Sequence, residues 1–195
     1  MALSKVSIAN MALTLLGADR IISLDDDSKN AREIKAVYDI ARDEVLSLHP
    51  WNFALKRAKL AQLAETPTHG YTYQYALPTD YLRKVTVYTG ESEDDVLEEE
   101  RFRIENKVLL TNESEVYLKY IFSNDDPTTY SPTFAKLFAI HLASLVAYSI
   151  TNNGNLLSSL TNLYNEQLRI AMAVDAQESS DTKIIGNDYL IEGRL

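Results

Sequence analysis

Histidine is the residue type in this sequence best suited to acid–base chemistry or metal binding, and its three copies stand far apart, at positions 49, 69 and 141. Asp39, Asp43 and Glu44 precede His49, and the two aspartates are one helical turn apart. A metal site can be drawn from them, but the HExxH spacing that fixes two imidazoles on one metal is absent. We therefore interpret these acids as a solvated helix face.

Other catalytic patterns are also absent. There is no cysteine, which excludes thiolate ligands, disulfides and a cysteine nucleophile, and no Gly-rich phosphate loop, GxSxG elbow or recognisable acid pair occurs. The aspartates at 25–27 could bind a divalent cation, but we expect a loop that favours the N-terminus of the next helix, capped by Ser28 or Asn30. The sequence predicts no catalytic, cofactor-binding or metal-binding residues and a protein that is not an enzyme.

Cations and aromatic residues come together in the middle of the chain, at Lys56, Arg57, Lys59, Tyr71, Tyr73 and Tyr75. Aromatic rings can stack bases while cations hold phosphates, so a single-strand nucleic-acid binder is one alternative. The formal net charge of −9 argues against general nucleic-acid binding. We expect the tyrosines to pack against the rest of the protein or a neighbouring subunit. An acidic wall suits a conduit that surrounds DNA without gripping it.

Apolar periodicity predicts four helices. The first is capped by Ser4 and runs to about Leu16. The second ends before Pro50, carries polar residues such as Arg42 on its surface, and has one apolar face made of Ala31, Ile34, Tyr38, Ala41, Val45 and Leu48.

The third predicted helix starts with Ser131 as cap and Pro132 in its first turn, and it continues to about Thr151. Because it is apolar nearly all round, we expect it to be central to the core instead of spanning a membrane, with His141 as a satisfied core histidine. The fourth ends near Ala176 and has an apolar face made of Leu157, Leu160, Tyr164, Leu168 and Ala171.

Alternating apolar residues predict β-structure between the second and third helices. We expect a strand from near Asn52, a turn at residues 77–80, a hairpin that reverses at residues 105–107, and an acidic loop or exposed strand at residues 93–100. The remaining strands are one with Tyr71, Tyr73 and Tyr75 on a single face, one from Leu82 to Tyr88, and one with Val116, Leu118, Tyr120 and Phe122 on a single face.

The predicted fold class is α+β: an antiparallel bundle of about four helices, an inserted antiparallel β subdomain and an extended C-terminal segment. Residues 1–50 would form the first helical pair, 51–124 the β-rich subdomain, 125–178 the second helical pair and 179–195 the C-terminal segment.

Two sequence blocks carry a resemblance. The first is His49-Pro50-Trp51-Asn52-Phe53-Ala54, followed by Lys56-Arg57 and Leu60, and the second runs from Tyr73 to Arg83 as YQYALPTDYLR. With Ala12-Leu13, Leu16-Gly17 and the segment 173–176, they resemble the tail tubular protein A family, the head-to-tail adaptors of short-tailed bacteriophages. We expect a structural junction between bundle and sheet at His49, Pro50, Trp51, Phe53, Arg57, Tyr73, Tyr75, Pro78 and Asp80.

The resemblance implies a role in the virion tail, after synthesis in the bacterial host cytoplasm. Such adaptors form a dodecameric ring between the portal ring and a tail nozzle of tail tubular protein B type, and double-stranded DNA passes through without sequence-specific binding. Expected partners are therefore the portal, the nozzle, neighbouring copies, the passing DNA, and tail fibres at the nozzle junction. Some family members are linked to peptidoglycan hydrolysis, so a tail-associated hydrolase is the alternative, although no acid pair here supports it.

The C-terminal segment contains apolar residues without a helical or strand period. Such a segment can order against a partner. We expect it to bind the portal or an adjacent subunit through Ile184, Ile185, Tyr189, Leu190, Ile191 and Leu195.

Overall fold

The computed structural model describes residues 3–178. The C-terminal segment and its candidate partner-binding residues (Ile184, Ile185, Tyr189, Leu190, Ile191 and Leu195) lie outside the described residues. The described chain contains four helices and two antiparallel sheets, which confirms the α+β prediction. The helices are α1 (Lys5–Leu15), α2 (Lys29–Leu48), α3 (Pro132–Thr151) and α4 (Gly154–Glu178).

Serine side chains begin three of these helices, as the sequence predicts. Ser4, Ser28 and Ser131 each accept a hydrogen bond from the backbone N–H three residues further on. At the other end of α3, Asn152 adopts a left-handed conformation with φ 53°, which asparagine tolerates better than most residues. The chain therefore reverses within two residues, and α4 folds back along α3.

The central helix is α3, as predicted. It packs against α1, α2 and α4, and its length and apolar composition alone would also suit a membrane span. In the structure half of its twenty residues are buried. His141 is satisfied there, because its Nε2 lies 2.8 Å from a Glu44 carboxylate oxygen and its ring packs against Tyr164 at 5.0 Å.

The buried face of α2 differs from the prediction at its C-terminal end. Leu48, expected to be buried, is 44% exposed, whereas Leu46 is fully buried and Arg42 is buried too. The cause is a second neighbour: α2 packs against the strands as well as against α3, which widens its buried face toward positions 42 and 46. Leu157, in the first turn of α4, is also exposed and was predicted to be buried.

All seven strands lie between α2 and α3 in the sequence. They are β1 (Leu55–Lys59), β2 (Ala61–Gln62), β3 (Tyr73–Ala76), β4 (Tyr81–Tyr88), β5 (Phe102–Glu105), β6 (Val108–Thr111) and β7 (Tyr117–Phe122). One antiparallel sheet has the order β1-β7-β4 and the other β2-β3-β6-β5. The division into units at residues 50, 124 and 178 stays a prediction.

The sequence suggested one protruding sheet, but the structure has two, and the three-stranded sheet is the middle layer. On β7, Ile121 belongs to the core that the helices form, whereas Leu118 and Tyr120 belong to a second core shared with the four-stranded sheet. Successive side chains of a strand point to opposite faces, so one strand serves both cores. Leu60 is buried in the second core, where the chain passes from β1 to β2.

Two predicted strands start later than expected. The first begins at Leu55 and not near Asn52, because residues 52–54 form a 3-10 turn in which Ala54 N–H donates to the Trp51 carbonyl at 2.8 Å. Tyr71 precedes β3, so the tyrosine strand carries only Tyr73 and Tyr75.

The β5–β6 hairpin forms where the sequence predicts it. Its turn consists of Asn106 and Lys107, which both have positive φ, 46° and 61°. Two consecutive residues of this kind are the signature of a type I′ turn, whose twist matches that of the flanking strands.

We predict that Lys107→Gly raises the free energy of unfolding by about 1 kcal/mol, because glycine adopts positive φ without the steric cost that a Cβ brings. Chemical denaturation followed by circular dichroism measures the change. Lys107→Ala keeps the Cβ and is the matched control, which should not gain stability. If Lys107→Gly is no more stable than the wild type, the turn is not under strain.

Candidate functional site

The block His49–Phe53 is a buried joint between helices and sheet. Trp51 is fully buried, and its indole N–H donates to the Val45 carbonyl at 3.1 Å. Its ring lies edge-on to His49 at 4.8 Å and to Phe134 of α3 at 5.1 Å. These contacts fix the chain direction immediately after α2, as the sequence predicts for an apolar anchor.

Phe53 extends this aromatic cluster to the beginning of α3. Its ring lies 4.8 Å from Phe134 and 5.4 Å from Tyr130, and the Tyr130 hydroxyl donates to the Asn124 carbonyl. Pro50 is half-buried between the end of α2 and this cluster. The predicted junction residues from His49 to Phe53 therefore lie together.

Asp175, near the end of α4, belongs to the same joint and was not predicted. One of its carboxylate oxygens accepts from the Asn52 backbone N–H at 3.1 Å, and the other lies 3.2 Å from His49 Nε2. The Asn52 side-chain amide donates to the Asp175 carbonyl at 2.9 Å. The last turns of α4 are thereby attached to the turn that precedes β1.

A second unpredicted feature is the cluster around Arg42, whose side chain is only 7% exposed. Its guanidinium donates to Asp43 at 2.9 Å, to Asp39 at 2.8 Å and to Asp125 at 2.6 Å, and also to the Ser123 hydroxyl at 3.0 Å. Asp39 and Asp43 lie on α2, whereas the other two acceptors follow β7. The Arg42 cluster therefore connects helix and sheet.

Burial lowers the pKa of Arg42, but its hydrogen bond to Asp43 and the charges of Asp43, Asp39 and Asp125 together raise the pKa by more than burial lowers it, so the net pKa lies above its ordinary value. The aspartates that the sequence suggested as metal ligands are thus engaged with a cation. Asp39 and Glu44 are mostly exposed, as expected of a solvated helix face, and Asp43 is the more buried partner of Arg42.

Asp80 occupies the joint between the turn before β4 and strands β1 and β7. Its carboxylate accepts from Lys56 at 2.6 Å and from the Tyr120 hydroxyl at 3.0 Å. Burial raises the pKa of Asp80, but these two hydrogen bonds lower the pKa by more than burial raises it. The net pKa is therefore below the usual value. Burial and the Asp80 hydrogen bond raise the pKa of Tyr120 to about 12.

The other predicted junction residues lie in the sheets, away from the Trp51 joint. Tyr75 is buried between the sheets and donates to the Glu113 carbonyl at 2.8 Å, whereas Tyr73 is half-buried beside it. The Pro78 carbonyl accepts from Tyr81 N–H at 3.1 Å and closes the predicted turn. The predicted single junction is therefore two joints, one between bundle and sheet and one between the two sheets.

The basic patch and the tyrosine strand belong to different sheets, because β1 is in the three-stranded sheet and β3 in the four-stranded one. Each of its cations is held by a carboxylate: Lys56 by Asp80, Arg57 by Glu93 and Lys59 by Glu115. Because these cations are already paired with carboxylates, they argue against the alternative in which they hold the phosphates of a single-stranded nucleic acid.

The aspartate loop before α2 is tied to its surroundings. Asp26 accepts from the backbone N–H groups of residues 22 and 23, Asp25 pairs with Lys35, and Asp27 pairs with Arg32. Within residues 3–178, no group of three or more histidine, aspartate or glutamate side chains is arranged to hold a metal ion.

Two apolar grooves flank α4. The first, the α1–α4 groove of about 630 Å³, has walls from α1 and α4 and a floor from α3, and includes Met11, Leu15, Ile140 and Leu163. The second, the α2–α4 groove of about 700 Å³, includes Ile40, Leu48, His141 and Tyr164. Met11, Leu15, Ile40 and Leu48 are all more than a third exposed. The bundle therefore presents apolar surface on both sides of α4.

The blocks that resemble the adaptor family coincide with the two joints. The first block forms the Trp51 joint, and the second runs through β3, the Pro78 turn and the beginning of β4. No protein-family model matches the chain, and no curated protein matches it significantly.

We predict that Arg42→Met lowers the free energy of unfolding by about 2–4 kcal/mol, because it leaves three carboxylates close together without their cation. Arg32→Met, on the same helix, is the matched control: Arg32 and Asp27 are mostly exposed, and such pairs contribute less than about 1 kcal/mol. Urea unfolding measures both. Equal losses in the two variants would contradict the connecting role of Arg42.

We predict that Asp80→Asn destabilises the protein by about 1 kcal/mol at neutral pH, since it weakens the bonds to Lys56 and Tyr120. The pKa of Asp80 is lowered on folding, so its contribution is present above the unfolded pKa of about 4 and is lost as the pH falls through the folded value. The stability difference between wild type and variant should therefore shrink below about pH 4. A pH-independent difference would contradict this assignment.

Proposed function

We propose that this chain is a structural adaptor of a short-tailed phage virion, which forms a ring that joins the portal to the tail nozzle and lets the genome pass. The observation that carries the proposal is the pair of apolar grooves on either side of α4. Each subunit of a closed ring contacts one neighbour with one surface and the next neighbour with a different one. Exposed apolar side chains in both grooves supply surface that such contacts bury.

The positions of the resembling blocks support the same function. Trp51 fixes the exit from α2 against α3, and Asp80 holds the turn before β4 to strands β1 and β7. Residues of this kind make a rigid building block, which an assembly needs so that every copy presents its surfaces in the same geometry.

The distribution of charge supports a conduit for DNA. The protein has a net charge of −9, and the cations of β1 are engaged with carboxylates. A duplex passing such a surface is repelled and does not adhere, and passage of the genome requires this.

The test is electron microscopy of the full chain mixed with a portal protein from the genome that encodes this chain. We expect an added ring of density at one end of the portal, with copies related by the portal's rotational symmetry. The matched variant lacks residues 182–195, and we expect it to remain folded by circular dichroism and to lose the added density.

Undiminished docking of the shortened chain would refute the role of the C-terminal residues and leave the adaptor function standing. A full chain that is folded and adds no density would overturn the adaptor function. Lytic assays with carboxylate-to-amide variants would then test the hydrolase alternative.

A further inference from the structure

The α1–α4 groove combines an apolar surface with two cations that have no partner among residues 3–178. Arg20 and Lys136 line it and are exposed, and within residues 3–178 neither makes a hydrogen bond or an ion pair. By contrast, Lys5 and Lys84 are paired with carboxylates. Unpaired cations beside apolar side chains fit a partner segment that is both apolar and acidic.

The direction of α1 decides where these cations stand. Lys5, at the beginning of α1, pairs with Asp125, which precedes α3. Lys29, at the beginning of α2, donates to the Ser149 carbonyl near the end of α3, and the Asn30 side-chain amide donates at 2.9 Å to the carbonyl of Asp19, which follows the end of α1. Hence α1 runs in the same direction as α3.

The two cations therefore lie toward opposite ends of the groove. Lys136 is near the beginning of α3, whereas Arg20 follows the end of α1. Between them, the part of α1 that lines the groove, from Ser7 to Leu15, spans about 12 Å at the helical rise of about 1.5 Å per residue.

We infer that this groove binds residues 188–192 of a second copy of this chain. The sequence there is Asp188-Tyr189-Leu190-Ile191-Glu192, an apolar triplet with a carboxylate at each end. If extended, the two acidic residues would stand about 13 Å apart at about 3.3 Å per residue, close to the length of the α1 segment that lines the groove. The triplet would cover Met11 and Leu15, and the carboxylates would pair with Arg20 and Lys136.

A second copy is the occupant that the proposed ring favours, because a groove and a segment on different surfaces can join successive copies. One contact of this kind, repeated from copy to copy, produces a head-to-tail ring. The inference thus rests on the proposed adaptor function and deepens it, since it names the contact between neighbouring subunits.

Disulfide cross-linking of the full chain tests the inference, because the chain has no cysteine of its own. Met11→Cys protein is mixed with Leu190→Cys protein and oxidised, with and without the portal protein. We expect mixed disulfide dimers in several-fold higher yield than from Ile40→Cys, in the other groove, mixed with Leu190→Cys.

Charge reversal tests the register. Arg20→Glu with Lys136→Glu should lower the cross-linking yield of the Met11→Cys protein, and Asp188→Lys with Glu192→Lys in the Leu190→Cys protein should restore it. Lys107→Glu, on the distant β5–β6 turn, is the matched surface control and should leave the yield unchanged.

A yield no higher than that of the Ile40→Cys mixture would overturn the inference. So would a doubly substituted chain that closes only an internal disulfide while the mixture gives none, because the occupant would then be the same chain. A ring on the portal without cross-links would overturn this inference and leave the adaptor function standing. Cross-linked oligomers that do not bind the portal would support the contact in the groove and overturn the adaptor function.

Discussion

The side chain of Arg42 is the point at which the separate parts of the molecule meet. Its guanidinium binds acceptors on α2 and acceptors that follow β7, and one of these, Asp125, also holds Lys5 of α1. Apolar burial is not directional and would allow helices and sheet to slide over each other. A buried cation is tolerated only when its donors are satisfied, so this cluster accepts one relative placement of the three parts.

Both cores are arranged around that placement. The three-stranded sheet is covered on both faces, by helices on one side and by the four-stranded sheet on the other, with β7 contributing to each core. The Trp51 joint fixes the exit from α2, and Asp80 fixes the turn before β4. The two grooves beside α4 are therefore held in a constant relation to the sheets. A subunit that must repeat the same contact around a ring needs this constancy.

The helices could be predicted because their signals are local. Serine caps, proline at the first turn and apolar spacing all lie within the segments they define, and the same is true of the turn at Asn106. The two-sheet arrangement and the Asp175 contact could not be predicted, because the residues that meet in them are distant in sequence. Asp175 stands 123 residues from Asn52. For Arg42, a signal was present: it lies four residues after Tyr38 and three before Val45, beside the apolar face of α2.

The attachment of Asp175 has a mechanical consequence if the last residues of the chain bind a partner, as we propose. Tension that acts on the C-terminal end of α4 acts next to Asp175, which is bonded to the backbone N–H and the side chain of Asn52. Without that attachment, the pull would peel α4 from α3 one turn at a time, which is the weakest way to resist force. With it, several bonds must break together before the helix yields, and the strain passes directly into the layered sheets.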